Sequence, residues 1–152
     1  MELVFNCKSF SELSVNELYA IMSLRQEVFV VEQNCPYLDA DNKDQCSYHL
    51  MIHEDNALVA YARILPKGES YDAYCSIGRI ATAPSHRKKG IGRKLTRYAI
   101  DQCNLVFPHD EIKISAQSYL LDFYKEFKFE EVGEEYLEDD IPHKAMIIKH
   151  NK

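Results

Sequence analysis

The chain has 152 residues, with 24 acidic against 18 basic side chains and a formal net charge of −6. With 46% hydrophobic and 28% charged residues it reads as one globular domain over residues 1–152, not as a disordered or fibrous chain. The acidic balance speaks against a general nucleic-acid binder, and no apolar run approaches the ~18 residues of a membrane helix.

Glu2 and its neighbours lack the basic-then-apolar start of a secretory signal. Five cysteines (Cys7, Cys35, Cys46, Cys75 and Cys103), odd in number and without a C-x-x-C pair, read as free thiols of a cytoplasmic protein. No nucleic acid and no membrane is therefore expected among the partners.

In chain order, Glu2 to Cys7 reads as a short strand. Ser14 and Glu17 form an S-x-x-E capping box that starts a helix. Leu18, Ile21, Met22, Val28 and Phe29 recur at near-helical spacing, with Arg25 filling one position of that face. Asn34 to Ser47 reads as a loop. Tyr48 to Glu54 and Ala57 to Leu65 form two strands joined by a tight turn at Asp55-Asn56.

After a loop from Pro66 to Ser70, Tyr71 to Thr82 reads as a long strand. Pro84 to Gly90 is a basic loop, and Ile91 to Cys103 a helix with Ile91, Leu95, Tyr98 and Ala99 on one face. Glu111 to Gln117 alternates like a strand, and Ser118 to Phe127 carries Leu120, Phe123, Tyr124 and Phe127 in a helical stripe. Phe129 to Glu134 and Lys144 to Lys149 read as the last strands, separated by an acidic loop. The order is mixed α and β around one sheet.

The basic loop carries the strongest chemical signal. From Pro84 to Arg97 stand six basic residues (Arg87, Lys88, Lys89, Arg93, Lys94 and Arg97) and no acidic one. Gly90 and Gly92 sit at the strand-to-helix turn, where backbone N–H groups and the positive end of the helix dipole suit a phosphate. A solvated charge run would explain the basic residues alone. The glycines favour anion binding, although neither G-x-x-x-x-G-K-[S/T] nor G-x-G-x-x-G is present.

Arg87-Lys88-Lys89-Gly90-Ile91-Gly92 resembles the R/Q-x-x-G-x-G/A signature of the GNAT superfamily of acetyl-CoA-dependent N-acyltransferases. It lies where that family has it, after the fourth strand and opening the third helix. Gln117, Tyr124 and Phe129 fall where many members have Asn, Tyr and Phe. The blocks Leu24 to Gln33, Cys35-Pro36-Tyr37 with Asp41, Gly78 to Ala81, and Tyr136 to His143 are similar to the ElaA-like branch.

The resemblance implies an α/β (α+β mixed) GNAT-like fold. Its central, mostly antiparallel mixed sheet would splay between strands 4 and 5, flanked by helices. Acetyl-CoA would be the cosubstrate, without a metal. Ile80, Ala81 and Thr82 would offer backbone groups to pantetheine, with Gln117 across the gap. The loop of Arg87, Lys88, Lys89, Gly90, Ile91, Gly92 and Arg93 would hold the pyrophosphate.

A small amine or peptide amine would attack the thioester directly. A backbone N–H near Ala81 would stabilise the oxyanion, and Tyr124 would protonate the leaving sulfur, a phenol being protonated at neutral pH. On periodicity alone Tyr124 is a core aromatic.

Many GNAT enzymes place a Glu on the fourth strand, yet Ala73 to Thr82 contains no carboxylate. Glu32 and His49 are the candidate bases; a solvated helix end and a structural strand histidine are their plainer readings. Lys128 stands where the family often has Gly. Arg79 is either a substrate anchor or the partner of Glu27 or of the Asp39–Asp44 loop. The acidic run of Glu130 to Asp140 would border the acceptor cleft and attract a cation, or simply be solvated.

Asp39 to Asp44 is not a calcium loop, because Lys43 takes a ligand position and Leu50 stands where the closing Glu belongs. His49 and His53 lie ~13 Å apart along a strand and cannot share a metal. Two other functions fit the sequence. Arg25-x-x-Val28-Phe29 also resembles acyl-homoserine-lactone synthases, and the missing carboxylate suits a non-catalytic acyl-CoA-binding module. A homodimer is open, since exposed edge strands can pair.

Overall fold

Two Asx pairs set the hairpins of this chain. The computed structural model describes residues 2–149. In it Asp55 and Asn56 both have positive φ (50° and 65°), as do Asp139 and Asp140 (52° and 62°). Such two-residue turns match the right-handed twist of the flanking strands, and Asp and Asn tolerate the left-handed region. They join β2 (Tyr48–Glu54) to β3 (Ala57–Leu65) and β6 (Glu130–Glu138) to β7 (Ile141–Ile148).

With β1 (Leu3–Ser9), β4 (Cys75–Thr82) and β5 (Ile112–Gln117) these strands form a seven-stranded sheet in the order β1-β2-β3-β4-β5-β7-β6. Every neighbouring pair is antiparallel except β4 and β5.

Period-2 alternation divides the core between two faces. Leu50, Ile52, Ala60, Ala62 and Ile64 pack with α2 (Ile91–Val106) and α3 (Leu121–Lys125) on one face. Met51 and Tyr61 pack with Ile21, Leu24 and Val28 of α1 (Val15–Arg25) and its continuation on the other. The capping box is present: Ser14 Oγ accepts from the Glu17 N–H at 3.0 Å and Glu17 accepts from the Ser14 N–H at 2.8 Å. Beyond Arg25 the helix widens into a π-helical turn, Gln26–Glu32.

Three expectations are corrected. β4 begins at Cys75 and not at Tyr71: Tyr71 to Tyr74 forms a small turn closed by a Tyr71–Tyr74 bridge. The strand expected over Phe129 to Glu134 runs on to Glu138 and the last strand starts at Ile141 instead of Lys144, so the acidic loop between them shrinks to the Asp139-Asp140 turn. The last helix is short, a 3-10 turn over Ser118–Leu120 followed by five α-helical residues. Among the described residues, no helix is long and apolar enough to cross a membrane.

Candidate active site

β4 and β5 run parallel and pair only at Cys75–Ile112 and Ser76–Lys113. Beyond these they diverge, so from Ile77 onward β4 has no strand partner on that side among the described residues. A backbone edge inside the fold can accept an extended ligand as an added strand.

A bulge shapes this edge. Gly78 pairs with Arg63 and Ala81 with Tyr61, so β4 spends one more residue than β3. Arg79 absorbs it at φ 49°. The extra residue puts Ala81 on the α1 face, where it packs against Met51 and Tyr61.

The divergence opens a cleft of about 720 Å³, lined by Ile80, Ala81, Thr82, Arg87, Gly92, Gln117 and Tyr124 among others. Gly90 has φ 78° and caps α2 without a side-chain hydrogen bond. A Cβ placed on Gly92 would meet nothing within 4 Å. No protein packing therefore demands that glycine; its bare backbone leaves room in the cleft for a ligand. The expected cofactor residues do not all reach the cleft. Ile91 is core, Lys88 and Lys89 are exposed, and Arg93 turns onto Glu126 at 2.9 Å and over the Phe123 ring at 5.5 Å.

Tyr124 is buried and meets Phe123 and Phe129 edge-on at 5.2 and 5.9 Å. Burial pushes its phenol up to about 12, so it is protonated at neutral pH. It is both a core aromatic and a wall of the cleft.

The two candidate bases are placed differently. Glu32 lines the cleft, but the Arg87 guanidinium grips both its oxygens at 2.6 Å. That hydrogen-bonded pair holds the carboxyl below its ordinary value. His49 is fully buried behind the α1 face and does not line the cleft. Its Nε2–H donates to the Asp44 carbonyl at 2.8 Å, and Nδ1 accepts from the Tyr61 hydroxyl at 2.6 Å. Burial holds His49 below its ordinary value, so the ring is neutral.

The Asp39–Asp44 loop is held by arginines. Arg25, with no exposed surface, donates from Nε to Asp39 Oδ2 at 2.7 Å and from Nη1 to Asp44 Oδ1 at 2.6 Å. Arg63 donates to Asp41 and, at 2.9 Å, to Asp44. Arg79 Nε sits 2.8 Å from Asp39 Oδ1, so Arg79 takes the ion-pair role with this loop while also lining the cleft. Burial alone would raise the Asp44 carboxyl. The hydrogen bonds and charges of Arg25 and Arg63 outweigh it and hold Asp44 low. Three guanidinium groups on α1, β3 and β4 thus fix the loop that walls one end of the cleft.

The acidic run is divided. Glu131 pairs with Lys125 and Lys144, and Glu135 accepts from Ser118. Only Glu138 and Asp139 of its seven carboxylates line the cleft. Beside them stands His143, buried on β7 directly across from Gln117, a residue that sequence reasoning left without a role. Its signal was long-range pairing, which no local pattern carries.

The splayed strands and the glycine loop are those of the GNAT-type acyltransferase fold. The chain matches the "Acetyltransferase (GNAT) domain" family model over residues 11–150, and it belongs to that family.

Protein ElaA of Escherichia coli is 41% identical over 138 residues, covering 90% of each chain. Its crystal structure superposes with a TM-score of 0.91 at 37% identity, covering 97% of this chain and all of that one. An acyl-CoA N-acyltransferase from Pseudomonas aeruginosa gives a TM-score of 0.92 at 38% identity, covering 96% and 99%. A CoA-dependent acyl-homoserine lactone synthase shares the fold, with a TM-score of 0.78, at 16% identity over 97% of this chain and 84% of that one.

Proposed function

We propose that this protein transfers an acetyl group from acetyl-CoA to a primary amine, and that the free β4 edge facing Tyr124 across the splay is the reaction centre. That juxtaposition carries the reading. The backbone of Ile80 to Thr82 holds the pantetheine arm, with Gln117 on the far wall. N–H groups from Arg87 to Gly92 hold the pyrophosphate at the N-terminus of α2.

The amine nitrogen attacks the thioester carbon. A β4 N–H near Ala81 stabilises the oxyanion. The C–S bond breaks and Tyr124 protonates the sulfur. Asp41 is answered by Arg63 and Arg79, so the negative charge at the acceptor end comes from Glu138 and Asp139, which favours a cationic amine, either a small polyamine-like molecule or a lysine side chain. The five cysteines are free thiols, which suits a cytoplasmic enzyme.

The test is calorimetric titration of acetyl-CoA into wild type and Gly92→Glu. The backbone accepts a Cβ there, since no described atom lies within 4 Å of it, and a thermal melt of the variant checks that it is folded. A carboxylate at the phosphate site is expected to weaken binding at least 100-fold. Unchanged binding overturns the site. Tight binding with no CoA release on any amine would mark an acyl-CoA-binding module instead of an enzyme.

A further inference from the structure

The geometry points to His143 as the proton acceptor for the attacking amine, positioned by Glu138. This rests on the acyltransferase reading above and names the group that reading lacks, since β4 offers no carboxylate.

Among the described residues, His143 is the one histidine lining the cleft. It is 6% exposed. Its Nδ1 lies 2.7 Å from the Ile141 carbonyl. A carbonyl only accepts, so Nδ1 carries the hydrogen and the neutral ring keeps its lone pair on Nε2. Nε2 sits 3.4 Å from Glu138 Oε2. Two acceptors that face each other at this distance lack a proton between them. Nothing larger than a proton fits between atoms this close, so a substrate ammonium bonds to the two acceptors from the cleft side, and the imidazolium formed when Nε2 takes its proton is then paired with the carboxylate.

The neighbours fix this ring. Tyr136 stacks on it, with centroids 6.1 Å apart at 23°, and the Tyr136 hydroxyl is itself hydrogen-bonded to Ser115 Oγ. The other charged or titratable groups on this side are few. Asp139 follows Glu138 in the turn and Lys144 follows His143, but Lys144 points to Glu131 at 2.9 Å. Tyr71 faces Tyr136 and Glu138; burial, with their charges, pushes its phenol up to about 12. Lys113 Nζ lies over the Tyr71 ring at 4.7 Å.

The balance is complete. Nε2 takes one proton from the ammonium, and the freed lone pair forms the C–N bond. The C–S bond breaks, and the thiolate takes the Tyr124 proton. The amide nitrogen then gives up its extra proton to restore Tyr124, while the imidazolium releases its own to water.

Two readouts test this. Long-range proton–nitrogen NMR on the acetyl-CoA-loaded protein should show an Nδ1–H tautomer for His143 at alkaline pH. An Nε2–H tautomer overturns the proposal. Acetyl transfer is then measured to methoxyamine, which arrives neutral, and to spermidine, which arrives protonated.

His143→Gln should lose ~10²–10⁴-fold in kcat/KM with spermidine and little with methoxyamine. Glu138→Gln should lower kcat/KM with spermidine more than with methoxyamine without changing acetyl-CoA affinity. A loss of equal size for both amines overturns the proposal in favour of a structural role. Calorimetry on the same samples reads acetyl-CoA binding separately, and its absence in wild type would sink the acyltransferase reading itself.

Discussion

Arg25 Nη1 and Asp44 Oδ1 meet at 2.6 Å where α1 ends, and the arginine side chain has no exposed surface. A fully buried guanidinium is tolerable only with its charge and N–H groups answered. Here Asp39 and Asp44 answer them and are themselves buried. Arg25→Ala leaves Asp44 to Arg63 and Asp39 to Arg79 and Tyr37, removes the fully buried partner of both, and should cost about 3 kcal/mol in denaturant unfolding, the low end for a broken buried pair. Arg25→Lys keeps the charge but not the planar fork, and should fall between the two. A cost below ~1 kcal/mol for Arg25→Ala would show that water replaces the arginine.

The pH dependence of stability has two parts with the same sign. His49 titrates below its ordinary 6.5 in the fold because burial disfavours its charged form. Its contribution is present above pH 6.5 and is lost as pH falls through the lower folded value. Asp44 is likewise held below its ordinary 3.8, so its contribution is full above that pH and disappears in stronger acid. Unfolding free energy should therefore begin to fall below about pH 6.5 and fall again below about pH 4. His49→Gln should flatten the first limb alone. The difference between variant and wild type between pH 7 and 5 is the measurement; identical slopes would refute the buried neutral imidazole.

Much of the fold follows from local pattern. β2 and β3 fall where alternation and Asp55-Asn56 place them, and the glycine loop opens α2 as its spacing implies. Tyr71 to Tyr74 has strand composition, but pairing begins only at Cys75, and the two tyrosine rings instead flank Lys113 Nζ. The strand read over Phe129 to Glu134 in fact runs on to Glu138, and its acidic end reads as loop because an edge strand tolerates charge. The Arg25–Asp44 clamp joins residues 19 apart, and His143 faces Gln117 only through sheet order. Such contacts leave no trace in a local window.

Lys128 has φ 77° just past α3, where its N–H and that of Phe129 close the helix end onto Lys125 and Tyr124 carbonyls. Left-handed backbone costs a side-chain-bearing residue about 1–2 kcal/mol, and glycine is the usual occupant there. Glycine also loses more freedom on folding, which returns part of that difference. Lys128→Gly should stabilise the protein by about 0.5–1 kcal/mol. The side chain is exposed, so little else changes. A destabilised variant would mean that the lysine stem packs against the surface.

Tyr124→Phe keeps the ring contacts with Phe123 and Phe129 and removes only the hydroxyl. Acetyl-CoA affinity should hold within about twofold while kcat falls ~10²–10³-fold. Because burial pushes this phenol up to about 12, the wild-type rate should show no loss from its ionisation below pH 10. The decisive comparison uses an acetyl thioester of a more acidic thiol, whose sulfur leaves without help. It should restore much of the lost rate. An equal deficit with both thioesters would assign Tyr124 to packing alone.

Glu32 and Arg87 tie the end of the π-helical turn to the basic loop through two 2.6 Å contacts, with both side chains more than a third exposed. Exposed pairs contribute only ~0–1 kcal/mol, so Glu32→Gln should barely change stability. Its electrostatic effect is larger than its structural one. The substitution removes a negative charge beside the proposed phosphate site and frees a guanidinium to reach it. Acetyl-CoA should bind several-fold tighter at low salt, and the gain should shrink as ionic strength rises. Turnover separates the two roles of Glu32. As the tether of Arg87 it can be replaced with little loss of kcat. As the base it could not be replaced, and kcat would collapse at every pH while binding stayed intact. With its carboxyl already held low by Arg87, tighter binding and preserved kcat are the expected result.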